Sequence, residues 1–472
     1  MRFNFFLLML FALLNMAACN NPSSESPEED SKGVVPYLTT GDQKALLARQ
    51  PALAFVEKSN DLPTITIDDN KVYQDIDGFG FTLTGGSADL IQALPEDQRS
   101  VLLRELFGRE ENSIGINYLR VSIGASDLSA STFSYNDLPA GQKDPTLKHF
   151  SIEKERETLI PVLKEIVKIN PKIKILGSPW SAPTWMKTNN NTIGGKLRPE
   201  YYGVYADYFV KYVQAMADEG ISIDAVTIQN EPLHPGNNPS MLMEAVEQAD
   251  FIKSALGPAF KEAGITTKII LYDHNADRPD YPISILNDEE AAKYIDGSAF
   301  HLYGGRIEAL SEVHKAHPEK QLYFTEQWVG GPGDFSKELQ WHVSNLIIGA
   351  TRNWSRNVLE WNLAATSDYK PHTDGGCTSC LGALSIDGEK IQRNVAYYIV
   401  GHASKFVPDG SKRIGSNVID GLANVAFITP ENKKVLVIVN DDDKNRSFNI
   451  EYHNKYVETS LASGAVMTYI WD

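Results

Sequence analysis

The sequence predicts an α/β fold: a (β/α)8 barrel with a side β-sandwich domain built from strands at both ends of the chain. Three observations carry that expectation. Between residues 78 and 390, eight short β-branched or aromatic runs recur, parted by stretches of helical periodicity. Past Lys390 the rhythm changes to short alternating strands separated by polar turns such as Asn440-Asp441-Asp442-Asp443. Before the barrel, Thr64–Ile67 and Val72–Ile76 read as strands about a turn at Asp68-Asp69-Asn70, and the C-terminal strands can supply the partners they need.

The elements follow in chain order. Residues 1–18 read as a signal peptide, because the apolar run from Phe5 to Leu14 is too short to span a membrane. Met16-Ala17-Ala18-Cys19 resembles a bacterial lipoprotein cleavage site, which makes Cys19 the lipidated first residue of the mature chain; a plain secretory leader is the alternative. Residues 19–38 form an acidic flexible tether, since the stretch from Asn20 to Ser31 has no large apolar residue with which to offset the entropy of ordering. Acidic residues soon after the lipidated Cys resemble surface-export signals of Bacteroidetes lipoproteins. The implied location is the bacterial outer membrane at the cell surface, otherwise the periplasm or the medium. The only membrane contact is then the lipid anchor.

Residues 39–77 open the side domain. Barrel strands are expected at Gly80–Leu83, Tyr118–Ile123, Ile173–Ser178, Ala225–Gln229, Lys268–Tyr272, Gly297–Leu302, Gln321–Thr325 and Val358–Leu363. Ile152–Ile169, Tyr202–Asp218 and Met241–Ala255 carry the one-face spacing of amphipathic helices, with Pro161 as a kink in the first. Residues 391–472 complete the side sandwich, with strands at Val418–Ile428, Val435–Asn440, Ser447–Tyr452 and Ala465–Trp471.

A net charge of −17 argues against nucleic acid, which needs a basic face. Aromatic content of 10%, with 7 Trp and 20 Tyr, suits stacking on sugar rings as well as core packing. Cys377 and Cys380 are half of a four-thiol zinc site with no second half, so no metal is expected. Their Gly-rich loop in an oxidising compartment favours a short disulfide, with free thiols as the alternative.

Two carboxylates stand where barrel enzymes do chemistry, at the C-terminal ends of strands. Glu231 closes Ala225-Val226-Thr227-Ile228-Gln229-Asn230-Glu231-Pro232, and Pro232 biases it toward extended geometry. Glu326 closes Leu322-Tyr323-Phe324-Thr325-Glu326. Such a pair fits the acid and the nucleophile of a sugar-cleaving enzyme, and their mutual repulsion is expected to raise the pKa of Glu231. Asn230 is placed to hold a sugar 2-hydroxyl. Arg120 is the candidate partner that keeps Glu326 ionised. Asp127, Trp180, His301, Tyr303 and Trp361 sit at other strand ends on the same face.

These residues resemble glycoside hydrolase family 30, which includes lysosomal glucosylceramidase and microbial β-1,6-glucanases. The marks are Asp77-Gly78-Phe79-Gly80, Leu119-Arg120-Val121-Ser122, the run from Ser178-Pro179-Trp180 to Lys187-Thr188-Asn189, Gln229-Asn230-Glu231-Pro232, His301-Leu302-Tyr303, Thr325-Glu326, Trp361-Asn362-Leu363-Ala364 and Gly401-His402-Ala403-Ser404-Lys405-Phe406-Val407-Pro408. The resemblance implies a retaining mechanism without cofactor, with Glu231 as acid/base and Glu326 as nucleophile. It implies that Asp127, Trp180 and Trp361 hold the non-reducing-end sugar and that Tyr303 orients the nucleophile. Thr325-Glu326-Gln327-Trp328 looks closer to the β-1,6-glucanase branch. Gly85, where the lysosomal enzyme carries Asp, and the C-x-x-C loop depart from that enzyme. The expected function is endo-β-1,6-glucanase on a β-glucan. The alternatives are a β-glucosidase or glucosylceramidase-like exo-hydrolase, and a non-catalytic glycan-binding lipoprotein.

Overall fold

A computed structural model describes residues 33–472; the leader, Cys19 and the acidic stretch up to Ser31 lie outside the described residues. Eight parallel strands close a barrel: Gly78–Thr82, Tyr118–Ser122, Lys174–Ser178, Ala225–Thr227, Lys268–Ala276, Gly297–Gly305, Gln321–Glu326 and Ser355–Asn362, numbered first to eighth below. The eighth pairs with both the seventh and the first, which seals the ring. A layer of Tyr118, Leu176, Ala225, Ile270, Ala299, Tyr323 and Leu359 fills the interior. The first strand leaves no room for side chains at Gly80, where a Cβ would lie 1.8 Å from the Tyr118 carbonyl oxygen.

The helices show how local chemistry shifts boundaries. Tyr202–Asp218 is helical as expected. In the 152–169 stretch the α-helix starts only at Leu159, after a 3-10 turn at Glu153–Arg156. Pro161 therefore sits in the first turn, where its missing N–H leaves no bond unmade, and it does not kink the helix. The helix expected from Met241 begins at Ala245 and passes through a π-turn at Ile252–Leu256 into Gly257–Glu262. The wider turn accommodates Pro258, which has no N–H to give.

The side domain is one nine-stranded sheet folded onto itself. From edge to edge it runs Ala48–Arg49, Val35–Thr39, Val466–Trp471, Lys434–Val439, Ala423–Ile428, Ser411–Ser416, Thr64–Ile76, Arg446–Tyr452 and Lys455–Leu461. Its two halves meet where Phe448 packs edge-on against Tyr469, with Thr459 Oγ1 3.0 Å from the Tyr469 hydroxyl. Both chain ends contribute strands.

Four expectations change here. Val35–Thr39, placed at the end of the 19–38 tether, is instead a strand paired with Val466–Trp471; Pro36 and Tyr37 find partners in Tyr469 and Thr468. Thr64–Ile67 and Val72–Ile76 form no hairpin. They are one strand, Thr64–Ile76, because each half takes its partners from the C-terminal strands, and the extra residues near Asp68 to Lys71 are absorbed as a register shift. The strands Ser411–Ser416 and Lys455–Leu461, too polar to read as strands, also belong to the sheet. The residues just past 391 do not join the side sheet: Lys390–Arg393 pairs with Leu384–Asp387 in a small separate sheet, and Val395–Ser404 is a fully buried helix against the first barrel strand. Among the described residues no helix is long and apolar enough to cross a membrane.

That helix also ties the two parts together. His402 is fully buried, with Nδ1 2.9 Å from Thr468 Oγ1 and Nε2 2.8 Å from Thr39 Oγ1. Burial pushes its pKa down to about 3. The folded protein thus refuses a proton that the unfolded chain accepts below its ordinary value near 6.5, so stability is lost as pH falls from there toward 3. We expect His402→Gln to flatten the pH dependence of urea unfolding in this window. The relief relative to wild type should be about 2 kcal/mol at about pH 5.

Candidate active site

The fourth strand leaves its ladder after Thr227, two residues earlier than its apolar pattern indicates. Gln229 and Asn230 turn inward: Gln229 Nε2 donates to the Trp180 carbonyl at 2.6 Å, and the Asn230 N–H to that of Pro179 at 2.7 Å. Glu231 is not extended, as Pro232 led one to expect, but left-handed, with φ +46°. Its N–H donates to the Asp273 carbonyl at 2.9 Å, and this bond holds a backbone conformation that costs about 1 kcal/mol or more. The turn brings the carboxyl back over the barrel mouth.

Glu231, His301 and Glu326 each offer an atom to one cluster whose members lie within 4.8 Å of one another. Glu326 accepts from Arg120 Nη1 at 2.5 Å on Oε2 and from the Tyr303 hydroxyl at 2.9 Å on Oε1. Glu231 is more lightly held: Asn237 Nδ2 donates to Oε2 at 3.2 Å, and His301 and His274 stand 3.7 and 3.8 Å from Oε1.

Arg120 has no exposure at all. Besides Glu326, it donates through Nη2 to Asp273 Oδ2 at 2.9 Å, Asn230 Oδ1 at 2.6 Å and Ser178 Oγ at 3.2 Å. Its guanidinium lies 4.7 Å from the Trp180 ring centre and 5.7 Å from that of Trp361. Asp273 is the second hub, accepting also from Thr227 Oγ1 at 2.7 Å and Thr325 Oγ1 at 2.6 Å, with His301 Nε2 3.0 Å away. Burial pushes Asp273 up, but Arg120 and His301 hold its carboxyl well below the usual range.

The charges set the protons. Burial pushes the His301 imidazole down, but Glu326, Asp273 and Glu231 outweigh it and lift the pKa to about 9, so the ring is a cation at neutral pH. Burial pushes Glu231 up, and the adjacent His301 cation pulls it below its ordinary value. This reverses the rise expected from carboxylate repulsion alone; the sequence does not show a cation standing between the two acids. Burial pushes Glu326 up against the pull of His301 and Arg120, with Glu231 adding to the rise. Burial, with Glu326 and Glu231 nearby, also lifts Asp127 to about 7.

Over these groups lies a cavity of about 410 Å³, lined by Asp127, Trp180, Glu231, Tyr303, Glu326 and Trp361 among others. Trp180 and Trp361 stack on each other at 5.4 Å. Of the residues singled out in the sequence, Arg120 and His301 have no exposure and stand behind the carboxyls, and Asn230 is nearly buried beside them. Cys377 and Cys380 form a disulfide and line the cavity too. His234, Asn237, Asn275 and Trp328 complete the lining and were not foreseen. Nor was Asp273, although Asp273-His274-Asn275 ends the fifth strand in the same polar way as the other strand ends.

A barrel whose mouth holds two facing carboxyls beside stacked tryptophans defines a glycosidase-type site. The glycosyl hydrolase family 30 TIM-barrel domain matches residues 76–407, and that family's β-sandwich domain matches residues 410–469. The chain belongs to glycoside hydrolase family 30 and is a glycoside hydrolase. It is 34% identical over 407 residues to an endo-1,6-β-D-glucanase of Aspergillus fumigatus, covering 80% of this chain and 81% of the relative. To the lysosomal acid glucosylceramidase of Mus musculus it is 30% identical, covering 86% and 83%. The solved endo-β1,6-glucanase BT3312 superposes with a TM-score of 0.87 at 36% identity, covering 93% of this chain and 99% of that one.

Asp273→Asn removes the carboxylate that balances two buried cations. We expect it to cost about 3 kcal/mol or more of folding stability, read by urea unfolding. Thr227→Val, which removes only one donor to Asp273, should cost about 1 kcal/mol.

Proposed function

We propose that this chain is a retaining endo-β-1,6-glucanase, with Glu326 as nucleophile and Glu231 as acid/base. The observation that carries the mechanism is the separation of the two carboxyls. One oxygen of Glu231 lies within 4.8 Å of one of Glu326, which supports the close carboxyl spacing of direct covalent capture, about 5–5.5 Å, over the wider gap that admits a water. The linkage rests on the likeness to endo-1,6-β-glucanases in sequence and in structure.

In the first step a Glu326 oxygen attacks the anomeric carbon while the Glu231 proton passes to the departing glycosidic oxygen. The product is a glucosyl ester of Glu326 and a free chain end. Glu231, now a carboxylate, takes a proton from water, whose oxygen attacks the same carbon and frees Glu326. Two inversions leave the β-configuration. Arg120 and Tyr303 hold the Glu326 carboxylate on two sides and aim it. The acid step needs Glu231 protonated. A bound sugar expels the remaining water, strengthens the effect of burial and moves Glu231 toward that form. Asn230, its carbonyl oxygen fixed by Arg120, keeps its amide donors for the sugar 2-hydroxyl. Asp127, Trp180 and Trp361 hold the glucosyl unit itself.

The relative in mouse favours one second reading, an exo-acting β-glucosidase or glucosylceramidase. The non-catalytic binding lipoprotein is set aside, since the chain belongs to a hydrolase family. The leader places the mature enzyme outside the cytoplasm, anchored through a lipidated Cys19 and facing polymeric β-glucan. Radiolabelled palmitate incorporation that is lost in Cys19→Ala checks the anchor.

Pustulan should yield oligosaccharides before glucose. Glucose alone would favour the exo reading, and no release from pustulan beside turnover of aryl β-glucosides would remove the linkage assignment. Glu326→Ala should lower kcat by about five orders of magnitude. Glu231→Gln should spare activated aryl glucosides far more than pustulan. Proton NMR of the first turnover should show the β-anomer; an initial α-anomer rules out retention.

A further inference from the structure

The loop that carries the disulfide is stitched to three other loops at the barrel mouth. Gly330 pairs with Cys380 and Val329 with Leu381, which joins it to the chain leaving the seventh strand. The Gly331 N–H donates to the Ser379 carbonyl at 2.8 Å. Asn238 Nδ2 donates to the Asp374 carbonyl at 2.9 Å, and Thr373 Oγ1 to that of Asn238 at 2.5 Å, which joins it to the loop after Glu231. Its contact with the loop after the second strand bears on the sugar directly. The Thr373 N–H donates to the Asp127 carbonyl at 2.9 Å, and the Cys377 N–H donates to the Asp127 carboxylate at 3.4 Å. The backbones are so close there that a Cβ at Gly376 would lie 2.4 Å from the Asp127 carbonyl oxygen.

The sulfurs face inward. Cys380 is buried in one cluster with Leu128, Trp180 and Trp361, and Cys377 packs against it. Both cysteines line the cavity that holds Glu231 and Glu326. A bridge between residues three positions apart constrains the unfolded chain little, so its contribution to global stability is small. Its effect is local, at the wall it closes.

We propose that the Cys377–Cys380 turn is a specificity-determining wall of the sugar pocket, which fixes the Asp127 carboxylate and the Trp180–Trp361 pair against a single glucosyl unit. This rests on the glycosidase reading above. The two cysteines are positioning residues: they act through Asp127 and the stacked rings. Opening the bridge frees the Cys377 N–H and loosens the face against which the rings pack. Affinity for the glucosyl unit falls while the carboxyl pair, held by Arg120 and His301 from behind, keeps its geometry.

The test compares the oxidised protein with the same protein treated with dithiothreitol, which supplies two electrons and two protons and is itself oxidised to its cyclic disulfide. The Cys377→Ser/Cys380→Ser double variant is the permanent counterpart. The probes are an aryl β-glucoside and the iminosugar deoxynojirimycin. We expect opening to raise KM and the iminosugar Kd about tenfold, the size of effect that about one lost hydrogen bond gives. In the same comparison kcat should stay within about threefold. Tryptophan fluorescence should rise as a quenching disulfide leaves the Trp180–Trp361 pair, with the far-ultraviolet circular dichroism unchanged. Equal KM and Kd in both redox states of a folded protein overturn the wall and leave the glycosidase reading standing. A fall in kcat with unchanged KM overturns it too. If the oxidised protein neither binds the iminosugar nor cleaves the aryl glucoside, the wall falls together with the reading of this cavity as the sugar site.

Discussion

A guanidinium with no access to water governs the site. Arg120 lies inside the barrel, where an unpaired charge costs several kcal/mol, so its neighbours must meet it with oxygen. They do so from four strands or their ends: Ser178, Asn230, Asp273 and Glu326. The closed barrel makes this convergence possible, because all its strands deliver their C-terminal ends to one rim. The requirement to satisfy one buried cation thereby fixes where the Glu326 carboxyl points.

The second cation, His301, does for the other acid what Arg120 does for the first. Its Nε2 is fixed by Asp273 and its Nδ1 faces both glutamates. Two cations are thus set among three carboxylates, and the low-dielectric surroundings make each of these charges depend on the others. Two acids can stand this close because the positive charge is built in behind them. Strain supports the same end: the left-handed backbone at Glu231, and at Tyr272 and Asp273 beside it, swings the acid and its support over the mouth.

Much of this was legible in the sequence. The eight strands, the helix Tyr202–Asp218 and the pairing of early with late strands follow from periodicity and from the need to bury one face. Arg120 as partner of Glu326 could be named because a buried carboxylate at a strand end needs a cation. The remainder depends on contacts that periodicity does not encode. Thr64–Ile76 reads as two strands because Asp68-Asp69-Asn70 has turn chemistry, and only the partners Ser411–Ser416 and Arg446–Tyr452 hold it extended. Val35–Thr39 looks like tether because Pro36 lacks a donor, yet the strand's place beside Val466–Trp471 is set by the far end of the chain. Asp273 was missed because it follows an apolar strand as one acid among many. The five side chains that meet its carboxylate, Arg120, Ser178, Thr227, His301 and Thr325, come from five other strands. The Glu231 shift was given the wrong direction because His301 lies 70 positions away in sequence and 3.7 Å away in space.

The account stands on Glu326 as the atom donor to a covalent glucosyl ester, and that bond can be caught. Incubation with a fluorinated glucosyl fluoride, whose ester forms quickly and hydrolyses slowly, followed by proteolysis and mass spectrometry, reads its position directly. The account predicts one added fluoroglucosyl unit, confined to the peptide that carries Glu326 and absent from Glu326→Ala. A label on Glu231 or elsewhere, or an enzyme that turns over glucosides yet never takes the label, would contradict it.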